Sequence, residues 1–577
     1  MPKPKQYFFK SKMTLVPFNR WDMAAILLIF SLLVVLAIAT KQMVIPYKIG
    51  EMIPISLDPS HLPMYALRSV LRIVIALAFS FLFTFIFGSL AAKSRHAERI
   101  IIPVIDILQS VPVLGFQAIA IIPFINLFHG SLLGPECAAI FAIFTAQAWN
   151  MILSFYQSVK TIPKDLVEAA DMLHLSAWQR FWRLEVPFSM PGLLWNTMMS
   201  MSASWFFVVA SEAITAANQN IALPGIGSYI ALAIKNADGH AIIYAILTMI
   251  LVIFIYDQLI FRPLTNWTEK FRLDSNEEPE NKNWLLRFSQ RTQLLQFLGV
   301  VFVNLSDKFI NIFPRRREST APRKRTNWFN QTFVLVWYVL ISLLVILASY
   351  YLVHFIIQNI PLHEIRKVFY LGFLTSLRVF AVVVFCTLVW LPLGVWIGMR
   401  RNIARIAQPI MQFLAAFPAN LLFPIVVYYI VSYQLNVNIW VTPLMIIGTQ
   451  WYVAFNIIAG TRAIPKDLHL VSANYSLRGL LRWQKFILPA IFPYYVTGII
   501  TAVGGAWNMS IVAEVVSWGN QTLQAAGLGA YITHYTRTGD FPRIALGISV
   551  MCIYVIIFNR VIWRPLYLLA EKRFRFD

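Results

Sequence analysis

No Gly-Lys pair occurs anywhere in the 577 residues, so the chain lacks a phosphate-binding P-loop and cannot be its own ATP-driven motor. Charge is also scarce. Only 13% of residues are Asp, Glu, Lys or Arg, too few for a soluble chain of this length. There are three cysteines, Cys137, Cys386 and Cys552, standing apart in apolar runs. They form neither a disulfide framework nor a metal-ligand spacing and read as small packing residues. The nine histidines are scattered, and no Ser/His/Asp or Cys/His arrangement stands out. A catalytic role has no candidate group, and no cofactor or metal is implied.

What is abundant is apolar. Hydrophobic residues make up 58% of the chain and the mean hydropathy is +0.65. Many windows exceed the roughly 18 apolar residues that cross a bilayer as a helix. The expected fold is therefore an all-α polytopic membrane protein. Twelve spans are expected: 24–40, 67–91, 100–128, 135–157, 190–214 and 240–261, then 332–357, 371–397, 408–432, 439–459, 490–515 and 542–562. The run 24–40 follows a basic stretch and ends in Ala37-Ile38-Ala39, so a signal peptide is the alternative there. A retained span is preferred, because the run is long for a signal peptide and the second half has a similar one.

Acidic residues number 26 against 48 basic ones, a net charge of +22. In a soluble protein that excess would point to nucleic acid. In a membrane protein it marks loops on the inner side. With the N-terminus inside, the inner loops hold 37 Lys plus Arg and the outer loops 6. Both termini are then cytoplasmic. The division expected is 1–21 as an N-terminal tail, 22–262 as one domain, 263–330 as a basic linker and 331–577 as a second domain.

The linker's cluster Arg315, Arg316, Arg317, Arg323, Lys324 and Arg325 should face cytoplasm or anionic headgroups. Residues 284–313 are amphipathic and are expected as an interfacial or packing helix, because a thirteenth span would reverse the second half.

The chain repeats itself. Ile162 to Pro187 begins Ile-Pro-Lys-Asp-Leu, and the same five residues begin Ile464 to Pro489, 302 positions later. Trp149, Trp205, Glu212, Gly225 and Gly227 match Trp451, Trp507, Glu514, Gly527 and Gly529 at that offset. Arg72, Pro103 and Pro112 match Arg378, Pro409 and Pro418 at offset 306. Six spans separate equivalent points, so the repeats are parallel and not inverted. In each copy the Pro and Asp open a helix in the usual way, giving expected helices at about 163–176 and 465–478. Taken alone, each is an amphipathic loop helix that could simply lie on its own bundle.

The stretch EAADMLHLSAWQRFWRLEVPFSMPGLL, with SVLRIV, TSLRVF, SASWFFVVASEAI, LPGIGSYI, GAWNMSIVAEVV and AGLGAYI, resembles permease subunits of binding-protein-dependent ABC importers. The nitrate, sulfonate and taurine branch is the nearest in pattern. The resemblance covers almost the whole of both halves and implies two type I importer permease domains fused in tandem. Glu168, Ala169 and Ala170 match the Glu-Ala-Ala signature, with Asp171 following, and His174 stands where the family has Gly. In the second copy the matching residues are Leu470, Val471, Ser472 and Ser476, a degenerate version. The resemblance implies that these residues couple to two separate ABC ATPase subunits. It also implies an external, periplasmic or lipid-anchored, substrate-binding protein and a location in the bacterial inner membrane; membrane lipid as surroundings and no nucleic-acid partner follow from the apolar composition and the placing of the basic residues. The cargo it implies is a small anion such as nitrate, a sulfonate or bicarbonate.

Charges inside spans usually face a pathway or a partner. Arg72, Glu212, Arg378 and Glu514, with Trp205 and Trp507 nearby, are expected either to line a path or gate or to brace each bundle as Arg–Glu pairs. The competing reading of the whole chain is a twelve-span secondary transporter or channel that needs no ATPase.

Overall fold

The computed structural model describes residues 19–43, 45–47, 53–110, 113, 120, 123–216, 219–264, 292–312, 327–518 and 521–573. Apolar runs become helices because hydrocarbon offers the backbone no other hydrogen-bond partners. Among the described residues ten helices are long and apolar enough to cross a bilayer, or eleven if one bent pair counts as a span. Hydropathy had led to an expectation of twelve. The expected run 24–40 lies in the helix Arg20–Met43. The expected span 100–128 falls only partly within the described residues, where it starts as the helix Arg95–Ser110.

The span expected at 408–432 is broken. Asn402–Ala416 and Ala419–Ser432 meet at 71°. Pro418 explains the break: it drives the preceding residue out of the helical region, and Phe417 sits at φ −71°, ψ 128°.

The two halves repeat in geometry as well as sequence. Leu133–Lys160 corresponds to Val437–Arg462, Lys164–Met172 to Lys466–Asn474, and Val186–Glu212 to Leu488–Ala513. Wide helical turns recur at Phe181–Glu185 and Trp483–Ile487, and at Asp257–Phe261 and Asn559–Trp563. Each half also carries a small antiparallel hairpin, β1 (Ala213–Ala216) with β2 (Gln219–Ala222) and β3 (Val515–Trp518) with β4 (Gln521–Gln524). In each half the helix before the loop packs along the helix after it, and one buried core runs through both halves.

The helix Gln293–Ile310 passes the length and composition test for a span, yet both its ends are held at one end of the bundle. At its start, the Asp22 carboxylate accepts the Leu294 N–H at 3.0 Å. At its close, Trp178 donates its indole N–H to the Phe309 carbonyl at 3.1 Å, and Asn311 accepts from Gln179 and Arg183, each at 3.2 Å. Asp22 opens the helix whose far end, Met43, packs on Leu71. Lys93, at the other end of Leu71's span, pairs with Glu185 at 2.8 Å, close to Trp178 in the chain. Asp22 and Trp178 therefore share one end of the bundle. Eighteen residues reach about 27 Å, enough to lie along that face. Residues 265–291 and the basic cluster at 315–325 lie outside the described residues.

A helix lying flat has a simple consequence. With the native cysteines replaced, single cysteines at the exposed positions Gln293 and Ile312 should react with a membrane-impermeant maleimide from the same side. Labelling from opposite sides would show that the helix crosses.

Candidate functional site

The loop segments are built alike. Lys164–Met172 and Lys466–Asn474 are each nine residues long, start after a proline and end in the same way. At the first, Leu175 donates to the Ala170 carbonyl at 3.2 Å and His174 to that of Asp171 at 2.9 Å. At the second, Leu477 donates to Ser472 at 3.0 Å and Ser476 to Ala473 at 2.9 Å. This is the helix stop whose turning residue is usually glycine. His174 and Ser476 occupy it with φ of 51° and 49°, a left-handed conformation that costs a non-glycine residue about 1–2 kcal/mol. The sequence departs from glycine at both positions, but the backbone keeps the glycine geometry.

Ala170 and Ser472 are the residues of each segment that face inward, both buried. Glu168, Ala169, Asp171 and His174 are exposed, and so are Leu470, Val471 and Ser476. The first projection is acidic, with Met172 and Leu173 bare at its tip. The second is apolar, with Leu470, Val471 and Tyr475 bare. His469 of the second packs edge-on to Phe486 at 5.2 Å, and burial beside Arg482 holds its imidazole below the ordinary histidine range.

At the opposite end of each bundle a buried ionic tie joins three elements. In the first half Arg72 is fully enclosed, bonding Glu136 at 2.6 Å, Glu212 at 2.5 Å and the Pro224 carbonyl at 3.0 Å. Arg68 adds a 2.9 Å bond to Glu136. Ser69 and the Gly227 N–H complete the Glu212 carboxylate at 2.6 and 2.7 Å. In the second half Arg378 meets Glu514 at 2.7 Å and the Ala526 carbonyl at 3.0 Å, while Thr375 and the Gly529 N–H take the roles of Ser69 and Gly227. The glycines are required by closeness: a Cβ on Gly225 would stand 2.2 Å from the Glu212 carboxylate, and one on Gly527 2.2 Å from that of Glu514.

The two ties differ at a matched pair of positions. Glu136 corresponds to Asn438 and Arg68 to Leu374, so one acid and one base are absent together. Asn438 bonds Arg378 through both its backbone carbonyl, at 3.1 Å, and its side-chain oxygen, at 3.3 Å. Among the described residues each tie therefore balances, two arginines with two glutamates or one with one. Sequence reading had singled out Arg72, Glu212, Arg378 and Glu514 but neither Glu136 nor Asn438. The signal was there, in a polar residue at the same point of the repeat in both halves.

Between the halves lies a cavity of about 840 Å³, its open mouth included. Its walls pair positions related by the repeat: Ala146 and Gly448, Trp149 and Trp451, Asn150 and Tyr452, Ala203 and Gly505, Phe206 and Asn508. Gln109 and Ala415, and Val113 and Ala419, pair at the other offset. The cavity therefore sits on the axis relating the two halves. The broken helix supplies one wall through Phe417 and Ala419. Side-chain amides tie the halves here: Asn508 accepts the Val113 N–H at 2.8 Å, Asn420 donates to the Phe206 carbonyl at 3.3 Å, and Gln412 donates to the Met198 sulfur at 3.6 Å. A second chamber of about 400 Å³, lined by Trp195, Met198, Met199 and Phe455, adjoins it and shares Trp451 and Tyr452. Arg72, Trp205, Glu212, Arg378, Trp507 and Glu514 are not among the residues that line either space. Trp205 packs edge-on to Tyr256 at 5.9 Å, and Trp507 stands 6.4 Å from Tyr554, each inside its own bundle.

Residues 84–261 and 391–575 each match the family described as binding-protein-dependent transport system inner membrane component. Among curated relatives, the bicarbonate transport system permease protein CmpB of Synechococcus elongatus is 28% identical over 145 residues, covering 25% of this chain and 49% of that protein. The nitrate import permease protein NrtB of Leptolyngbya laminosa is 28% identical over 150 residues, 26% and 49% of the two chains. The glycine betaine/carnitine transport permease protein GbuB of Listeria monocytogenes is 26% identical over 174 residues, 30% and 56%. The chain spans about half the length of these relatives.

Removing one partner from a buried tie leaves a charge unpaired at a cost of about 3–5 kcal/mol. Glu136→Gln should therefore lower the thermal unfolding temperature of the purified protein clearly. Arg68→Leu combined with Glu136→Asn, which copies the second half, should recover most of that loss. A double variant no more stable than Glu136→Gln would show that charge balance is not what these residues maintain.

Proposed function

The chain belongs to the family of binding-protein-dependent transport system inner membrane components, and from that premise we propose that it forms the complete translocation path of an ATP-driven importer for a small anion. Two fused halves supply what two permease subunits would. The exposed segments 164–174 and 466–476 each dock on a separate ATPase, and an external binding protein delivers the solute at the opposite end. The surplus of Lys and Arg in the expected inner loops supports a cytoplasmic position for the docking segments. Bicarbonate or nitrate is the proposed cargo, in keeping with the names of two relatives.

The observation that carries this reading is the pairing of two like projections at one end with one cavity on the axis between the halves. Closure of two motors on the projections would swing the halves about that axis and expose the cavity to alternate sides. The buried ties hold each half together during the swing, which makes Arg72, Glu212, Arg378 and Glu514 braces in this reading. The unlike surfaces of the projections, acidic in one and apolar in the other, imply unequal docking.

The test is uptake by vesicles holding the full complex. Uptake of bicarbonate or nitrate should require ATP, and uptake driven by an ion gradient alone would overturn the proposal. Glu168→Lys should uncouple hydrolysis from transport without lowering the amount of folded protein, whereas Leu470→Lys should act differently. Unchanged solute-stimulated hydrolysis in Glu168→Lys would contradict a coupling role, and equal losses in the two variants would contradict unequal docking.

A further inference from the structure

The axial cavity has a definite chemistry. None of its described lining residues is Asp, Glu, Lys, Arg or His. Its polar surface is instead neutral: the amides of Gln109, Asn150 and Asn508, and the hydroxyls of Thr145, Thr449, Thr501 and Tyr452. These groups come from both halves. Gln109 and Asn150 come from the first half, where the Gln109 side-chain NH2 donates to the Asn150 side-chain oxygen at 3.0 Å. The positions that answer them in the second half are Ala415 and Tyr452. The backbone frame is thus two-fold but the donors are not: Gln109 and Asn150 form an amide pair on the first-half wall, facing Thr449, Tyr452, Thr501 and Asn508 of the second half. Asn508 is already committed, with its oxygen on the Val113 N–H and its nitrogen on the Gly504 carbonyl. Asn150 is held more loosely, its NH2 reaching Ser200 only at 3.4 Å.

We propose that this cavity is a transit site that holds a small, singly charged oxyanion through the neutral donors of Gln109 and Asn150 instead of through a cationic side chain. This rests on the reading of the chain as an importer of small anions. A fixed cation in a low-dielectric cavity would bind an anion deeply and slow its release, and conduction needs a site that is left as readily as it is entered. Neutral donors satisfy the oxygens of the solute without that trap. They also disfavour a doubly charged solute, whose desolvation cost rises with the square of its charge and finds no countercharge here. The same logic makes a negative charge at Asn150 intolerable to the cargo.

The experiment measures ATP-driven uptake of nitrate and of bicarbonate by proteoliposomes that contain the full complex with its ATPases and binding protein. Asn150→Asp should reduce uptake of the transported anion at least tenfold. Asn150→Gln, which keeps an amide donor, should stay within about threefold of the wild type. Thermal unfolding of both variants checks that they are equally folded. Uptake by Asn150→Asp at the wild-type rate would overturn the transit site and leave the importer reading intact. Equal losses in the Asp and Gln variants would also overturn it, since a packing role makes no distinction of charge. Failure of the wild type to move either anion with ATP would instead overturn the importer reading.

Discussion

The structure depends on an arginine sealed inside each bundle. Arg72 is fully enclosed and Arg378 nearly so, and each finds carboxylate and carbonyl oxygens on other elements. The elements they find are the start of the helix Leu133–Lys160 or Val437–Arg462, the end of Val186–Glu212 or Leu488–Ala513, and the loop before the following short helix. A buried charge is costly unless it is fully paired, so its partners are held in place as firmly as the charge itself. This fixes the helix ends on one face of each half. The adjacent glycines let the short helices press against the glutamates closely enough for their backbone N–H groups to bond them.

With each half tied in this way, the softer surfaces lie between the halves. The contacts described there beside the two spaces are single amide bonds, from Asn508, Asn420 and Gln412, and apolar packing. Those are weaker than the ionic ties. Motion is therefore expected between the halves and not within them, and the cavity lies where that motion would open and close it. The linker helix adds an asymmetry. Through Trp178, Gln179 and Arg183 it is fastened to the loop of the first half.

Much of this was legible in the sequence. The spans stood out because long apolar runs leave the backbone only one structure in lipid. The repeat stood out because identical residues recur at a constant offset. Charged residues in apolar surroundings drew attention to Arg72 and Glu212. What escaped notice was the unlike pair: Glu136 and Asn438 share a position but not a type, and a search for identities passes over them. The cavity residues escaped for a related reason. Asn150 and Asn508 are neutral, and attention to charge alone misses a site built without any. His174 and Ser476 looked like erosion of a motif, but backbone conformation is set by the helix end and its hydrogen bonds, which persist without the glycine. The break at Pro418 was hidden because the residues on both sides of it are apolar enough to read as one span.

The central claim is that two rigid halves move about the axis between them. It is tested most directly by distances between spin labels in the full complex, with and without nucleotide. One pair joins the projections, at Asp171 and Ala473. Another joins the two ends of the first half, at Asp171 and Lys235. The account predicts that nucleotide shifts the first distance and leaves the second unchanged. A shift within the half, with the distance between projections constant, would contradict it.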